Sequence, residues 1–116
     1  MHELAIADSI VRIAAEHAGG RRVAKVTLKA GRLRQVVPSA LLFSFELVAA
    51  GTPVEGAELA IDEVPVTVRC EACGAESELR EFPLACGRCG SLAVELVAGD
   101  ELFVESLELE KEEVAA

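Results

Sequence analysis

The feature that most constrains this chain is a repeated pair of cysteines. The segments CEACG and CGRCG place Cys70, Cys73, Cys86 and Cys89 in a C-x2-C-x12-C-x2-C pattern, and a glycine follows each pair. Each pair brings two sulfur atoms within reach of one ion, and the glycine tolerates the positive φ that a tight turn around a metal requires. The pattern predicts that the four cysteines bind one metal ion.

Zinc is the metal that best suits four thiolates in a tetrahedron. An iron ion or an iron–sulfur cluster accepts the same ligands and remains an alternative. A disulfide framework needs an oxidising compartment, and a redox-active pair would use a single C-x-x-C motif. Four protein ligands leave no position for a reacting water, so we expect Zn(II) with a structural role. The segment around the cysteines has few large apolar residues with which to form a core of its own.

Helix and strand patterns alternate on either side of the cysteines. Strand periodicity appears over 21–31, 57–65 and 101–110, with a bulge or two-sided burial expected near Glu105. An apolar run after Ser39, the expected N-cap, predicts a well-buried second helix that stops at Gly51. Spacings of three and four predict a first helix over residues 4–17, whose apolar face consists of Ile6, Ile10, Ile13, Ala14 and His17.

These elements predict an α+β fold. Two helices lie on a small mixed three-stranded sheet, and a four-cysteine zinc-ribbon-like module is inserted before the last strand. The strand–helix–strand segment predicts a crossover between parallel strands. We expect two domains, an α/β domain from residues 1–66 plus 99–116 and a metal-binding module from residues 67–98.

The charge and the aromatic content exclude several functions. Twenty acidic residues against eleven Lys and Arg give a net charge of −9, which repels nucleic acid, and no Trp or Tyr is present to stack on bases. Scattered serines and only two histidines do not suggest an enzyme. No apolar run is long enough for a membrane span, and no signal peptide is evident, so we expect a cytoplasmic protein without membrane or nucleic-acid partners. The alternative is a zinc-ribbon module that binds nucleic acid or a transcription complex.

The opening residues "MHE" form a second candidate metal site. If Met1 is retained, its amine, the backbone nitrogen of His2 and the His2 imidazole can chelate one ion in a plane, which favours Ni(II) or Cu(II). Glu3 is a candidate fourth donor through its backbone nitrogen or its carboxylate. The first N–H groups of a helix lack intrahelical acceptors, so helix and chelate are compatible. Taken alone, His2 is better explained as a frayed helix end, since a histidine at position 2 needs no special explanation.

The combination of "MHE", the element order and the late four-cysteine module resembles the HypA/HybF family of hydrogenase maturation nickel chaperones. The resemblance covers essentially the whole chain, although Gly87 stands where related proteins often carry proline. It implies that His2 is the nickel ligand, helped by the Met1 amine and Glu3, and that the cysteines hold structural zinc. It also implies delivery of Ni(II) to the large subunit of [NiFe] hydrogenase with the GTPase HypB, urease maturation proteins as further partners in some organisms, and a homodimer.

Overall fold

A computed structural model describes residues 2–111 of the chain, so the predictions that concern Met1 and the last five residues lie outside the described part. No helix within residues 2–111 is long and apolar enough to cross a membrane. In chain order the elements are α1 (Glu3–Ala18), β1 (Val23–Gly31), a 3-10 helix (Arg32–Arg34), α2 (Pro38–Ala49), β2 (Glu58–Val64), β3 (Val66–Cys70), β4 (Glu76–Leu79), β5 (Val94–Ala98) and β6 (Leu102–Leu109).

The strands form two three-stranded sheets with the orders β2-β1-β6 and β4-β3-β5. In the first sheet β1 and β6 run antiparallel, because Glu110 N donates to Arg22 O (2.9 Å) at one end and Gly31 N donates to Glu101 O (2.6 Å) at the other. This sheet is mixed, so β1 and β2, which α2 connects, are its parallel pair. The predicted fold class, two helices with a small mixed sheet and a four-cysteine cluster, is confirmed.

The chain divides into two compact units. The first comprises residues 1–28, 36–62 and 103–116, and the second comprises residues 29–35 and 63–102. The second unit contains the antiparallel sheet β4-β3-β5 and all four cysteines. The domain boundaries predicted at residues 66 and 98 describe which segments fold independently of each other. They stay a prediction.

In the first unit α1 packs against α2 through a stripe of mostly small residues. The buried positions of α1 are Ala7, Ile10, Val11, Ala14 and Ala18. The predicted face was therefore partly wrong, since Ile13 is 41% exposed and His17 is exposed. Both stripes satisfy the spacing of three and four, and the stripe with three alanines allows the closer approach of the two helices.

The prediction for α2 also needs correction. The helix begins two residues earlier than expected, with Val37 as N-cap and Pro38 in the first turn, because proline already has the φ of that position and needs no N–H acceptor there. Ser39 therefore lies inside the helix. The helix is buried on one side only, through Leu41, Ser44, Phe45 and Ala49, while Phe43 is 63% exposed. Composition alone did not distinguish the covered face from the open one.

The last strand shows the expected irregularity. Along β6 exposed and half-buried residues alternate until Glu105 and Ser106, which are both exposed, and the alternation then resumes with the opposite parity. This change of parity lets Val104 and Leu107 both face inward although they are three residues apart.

Candidate metal centre

The two cysteine pairs form turns with the same hydrogen-bond pattern. After β3, Gly74 N donates to Cys70 O (3.0 Å); in the second pair, Gly90 N donates to Cys86 O (2.9 Å). Both glycines adopt positive φ, +76° and +75°, which costs glycine nothing sterically. The sequence pattern C-x2-C-G is thus realised twice as the same tight turn.

These turns bring the four sulfur atoms into one cluster. All four Sγ atoms lie within 4.8 Å of one another, and the Cys70–Cys89 and Cys73–Cys86 Sγ pairs are each 3.6 Å apart. A tetrahedral ion with bonds of about 2.3 Å to sulfur requires S–S separations of about 3.8 Å, whereas a disulfide bond is about 2.05 Å long. The donors fit one tetrahedral metal ion, as predicted, and their separations do not fit disulfides.

Backbone N–H groups stabilise the thiolate form of one cysteine in particular, Cys86. The N–H groups of Cys89 and Arg88 both donate to Cys86 Sγ at 3.4 Å, and they lower the pKa of the Cys86 thiol to about 6. At Cys73 the Ala75 N–H favours the thiolate, but the neighbouring thiols, led by Cys86, outweigh it and raise the pKa to about 12. Without a cation, ionisation of one thiol therefore disfavours ionisation of its neighbours, and a divalent cation reduces this repulsion.

The second turn is also fixed from outside. Gly87 N donates to Ser77 Oγ (2.9 Å), and a Cβ atom at Gly87 would lie 3.1 Å from the same oxygen. Proline at this position would have no N–H to donate. This chain therefore holds the turn to β4 by a hydrogen bond that sequence reasoning did not find, because nothing near Ser77 in the sequence marks it as a partner of Gly87.

The second candidate site lies at the start of α1. His2 is exposed and is the N-cap of α1, and its carbonyl oxygen accepts the first helical hydrogen bond, from Ile6 N (3.1 Å). Among residues 2–111, the structure gives the His2 imidazole no hydrogen bond or ion pair. The Glu3 carboxylate accepts a hydrogen bond from Val37 N (3.1 Å), which lowers its pKa. The start of α1 is therefore tied to the start of α2 through Glu3.

The predicted site residues thus fall into two groups. The four cysteines meet in the second unit, and His2 and Glu3 adjoin each other in the first, while Met1 lies outside the described residues. The other histidine, His17, sits at the far end of α1, where its Nδ1–H donates to Ile13 O (2.9 Å). The contact between Glu3 and Val37 was not predicted, because 34 residues separate the two in the chain.

The chain combines two compact units with a cluster of four cysteines that fits one metal ion. Comparison with known proteins gives its family. The sequence profile for hydrogenase/urease nickel incorporation metallochaperones, HypA, matches residues 1–109. The hydrogenase maturation factor HypA of Geobacter metallireducens is 44% identical over 95% of this chain and all of its own length. That of Trichormus variabilis is 41% identical over 96% of this chain and 97% of its own length.

The fold agrees with these matches. The solution structure of the Ni metallochaperone HypA from Helicobacter pylori aligns with a TM-score of 0.65 over 97% of this chain and all of that one, at 24% identity. The chain belongs to the HypA family, as its resemblance indicated. It is therefore a nickel-incorporation metallochaperone of hydrogenase maturation and a non-enzymatic maturation factor. This family membership favours metal delivery over the alternative of a nucleic-acid-binding zinc ribbon.

Proposed function

We propose that this chain binds one Ni(II) ion at its N-terminus and delivers it to the large subunit of [NiFe] hydrogenase, together with the GTPase HypB. Family membership supports the nickel cargo, and the observation that carries the proposed site is the exposed His2 at the start of α1. Urease maturation proteins are further proposed partners, as the family description includes urease. A homodimer and a cytoplasmic location complete the proposal.

The proposed ligands are the Met1 amine, the His2 backbone nitrogen and the His2 imidazole, with Glu3 as the fourth donor. The Glu3 carboxylate already accepts the Val37 N–H, so we assign the backbone nitrogen of Glu3 to the nickel ion. Four nitrogens in a plane suit Ni(II). The only side chain in this ligand set is the exposed His2 imidazole, which a partner can reach.

For the four-cysteine cluster we propose Zn(II) bound by Cys70, Cys73, Cys86 and Cys89. The ion would have a structural role, since four thiolates close its coordination shell. When bound, it would offset part of the charge of the four thiolates and join the two cysteine turns. The two functions then lie in separate parts of the chain, nickel at residues 1–3 and zinc between residues 70 and 89.

Calorimetric titration with Ni(II) tests the N-terminal site. The protein with a free Met1 amine is compared with the same chain carrying Gly-Ser in front of Met1, which moves the amine away from His2 but keeps every side chain. We expect the extension to weaken Ni(II) binding strongly without changing the zinc content. Equal nickel affinity for the two proteins would refute the assignment of the Met1 amine.

A further inference from the structure

A small apolar cavity lies within the second unit, away from the cysteine cluster. Leu33, Val66, Leu79 and Leu84 line it together with Arg32 and Arg80. Its volume is about 40 Å³, which is room for about three water molecules. Phe82, 62% exposed, also lines it. An apolar cavity of this size accepts one short aliphatic side chain.

The two arginines of this cavity differ from most arginines of the chain. In the same unit, Arg34 donates to Asp100 O (2.6 Å) and Arg69 pairs with Glu76 (3.1 Å). For the side chains of Arg32 and Arg80, the structure of residues 2–111 gives no hydrogen bond and no ion pair. In a protein with a net charge of −9, these two guanidinium groups lie together beside one apolar cavity. They offer a strong binding site for an anion.

The charge at the cavity indicates what kind of anion fits. Glu81 lines the cavity as well, so two guanidinium groups and one carboxylate leave a net charge of +1. This net charge matches a single carboxylate better than a doubly charged phosphate. A ligand that carries one carboxylate and one aliphatic group on the same residue matches both this charge and the small volume.

We infer that this cavity binds the C-terminal residue of a partner protein, where that residue is aliphatic and carries a free α-carboxylate. The last residue of a chain is the residue that bears both groups on one Cα atom. Its side chain would enter among Leu33, Leu79 and Leu84, and its carboxylate would meet Arg32 and Arg80. Recognition of a chain end by its carboxylate is a known mode of peptide binding.

The test is an NMR titration of the ¹⁵N-labelled, zinc-loaded protein with the peptide acetyl-Gly-Ser-Gly-Ser-Leu. The peptide with a free C-terminal carboxylate should shift the amide signals of Leu33, Leu79 and Arg80. The same peptide with a C-terminal amide should bind at least about tenfold more weakly, because the charge-assisted hydrogen bonds to the arginines are lost. Equal binding of the acid and the amide would overturn the inference.

Variants of the arginines provide the second part of the test. Arg32→Gln and Arg80→Gln should each weaken binding of the acid peptide about tenfold, whereas Arg88→Gln should not change it, because Arg88 is exposed and does not line the cavity. Unchanged zinc content and spectral dispersion show that each variant is folded. Wild-type affinity in Arg32→Gln and Arg80→Gln would refute the site.

A third peptide separates a chain end from an internal acidic residue. It carries Leu-Glu before an amidated terminus, so it has an aliphatic and an acidic side chain on different residues. Binding as tight as that of the free-acid peptide would contradict the assignment to a C-terminal residue. The His2→Ala protein should bind the acid peptide like wild type. The cavity and the proposed nickel site are thus tested separately, and failure of peptide binding would not refute the nickel site.

Discussion

The two candidate metal sites differ in how the chain holds them. At the cysteine cluster, two turns with matching hydrogen bonds, glycines at positive φ and a contact from β4 position four sulfur atoms within 4.8 Å of one another. At the N-terminus, His2 is exposed, and one hydrogen bond between Glu3 and Val37 ties the start of α1 to α2. Donors held by several backbone and side-chain contacts suit an ion that stays, and donors at a chain end suit an ion that must leave.

Removal of the metal from the cysteine cluster should give the largest effect. We expect chelation, or the double variant Cys70→Ser/Cys86→Ser, to unfold the second unit, because binding of structural zinc contributes on the order of 10 kcal/mol in small zinc domains. The measurement is the loss of dispersed amide signals from residues 63–102. Persistence of those signals after verified metal removal would show that the fold of this unit does not depend on the ion.

Gly31→Ala tests whether the ion alone stabilises the second unit. A Cβ atom at Gly31 would overlap the carbonyl oxygen of Gly99, so the backbone must move, at a cost of about 3 kcal/mol or more. Gly56→Ala is the control, because its φ is +80° but no atom lies within 4 Å of the added Cβ; it should cost about 1 kcal/mol. Thermal unfolding of both zinc-loaded variants measures the difference, and equal losses would contradict the close-packing argument.

Ser77→Ala should have a smaller effect on the same unit. The variant removes the acceptor of the Gly87 N–H, and a hydrogen bond of this kind contributes about 1 kcal/mol. Zinc transfer to a chelating dye should become several-fold faster because the second turn is less restrained. Ser106→Ala, an exposed serine in β6, serves as control. Identical transfer rates for Ser77→Ala and wild type would show that this hydrogen bond does not restrain the turn.

The smallest effect is expected at the N-terminal site, from titration of the Glu3 carboxyl group. The Val37 N–H lowers the pKa of the Glu3 carboxyl in the folded protein, so this contact stabilises the fold above the ordinary pKa of a glutamate and is lost as pH falls through the lowered value. The Val37 amide shift should follow this titration by NMR. In Glu3→Gln that response should disappear, and in Glu16→Gln it should remain. A Val37 response that survives in Glu3→Gln would contradict the contact.

Much of the fold was predictable because the periodicity of apolar residues along the sequence indicates helices and strands. The predicted bounds of β1, β2 and β6 agree closely with the structure, since alternation over seven or more residues is a strong signal. Strands β3, β4 and β5 were not resolved individually, because they are short and lie among cysteines, glycines and charged residues. The exposed face of α2 was not predicted, because nothing in the sequence distinguishes the exposed Phe43 from the buried Phe45.

The four-cysteine cluster was predictable because its donors come in two local motifs with a fixed spacing. The contacts that support the sites were not, since Ser77 with Gly87 and Glu3 with Val37 depend on how distant segments pack. The same holds for the cavity with Arg32 and Arg80, which joins residues from the β1–α2 connection to residues after β4. Sequence motifs thus identify the metal ligands, whereas the contacts that position these ligands depend on tertiary packing.

Native mass spectrometry of the zinc-loaded protein with one equivalent of Ni(II) tests the division between the two sites most directly. Wild type and His17→Ala should each carry one zinc and one nickel ion, because His17 lies at the other end of α1. The His2→Ala protein should keep its zinc ion and bind no nickel. Nickel binding at the wild-type level in His2→Ala, or loss of its zinc together with nickel, would contradict the account.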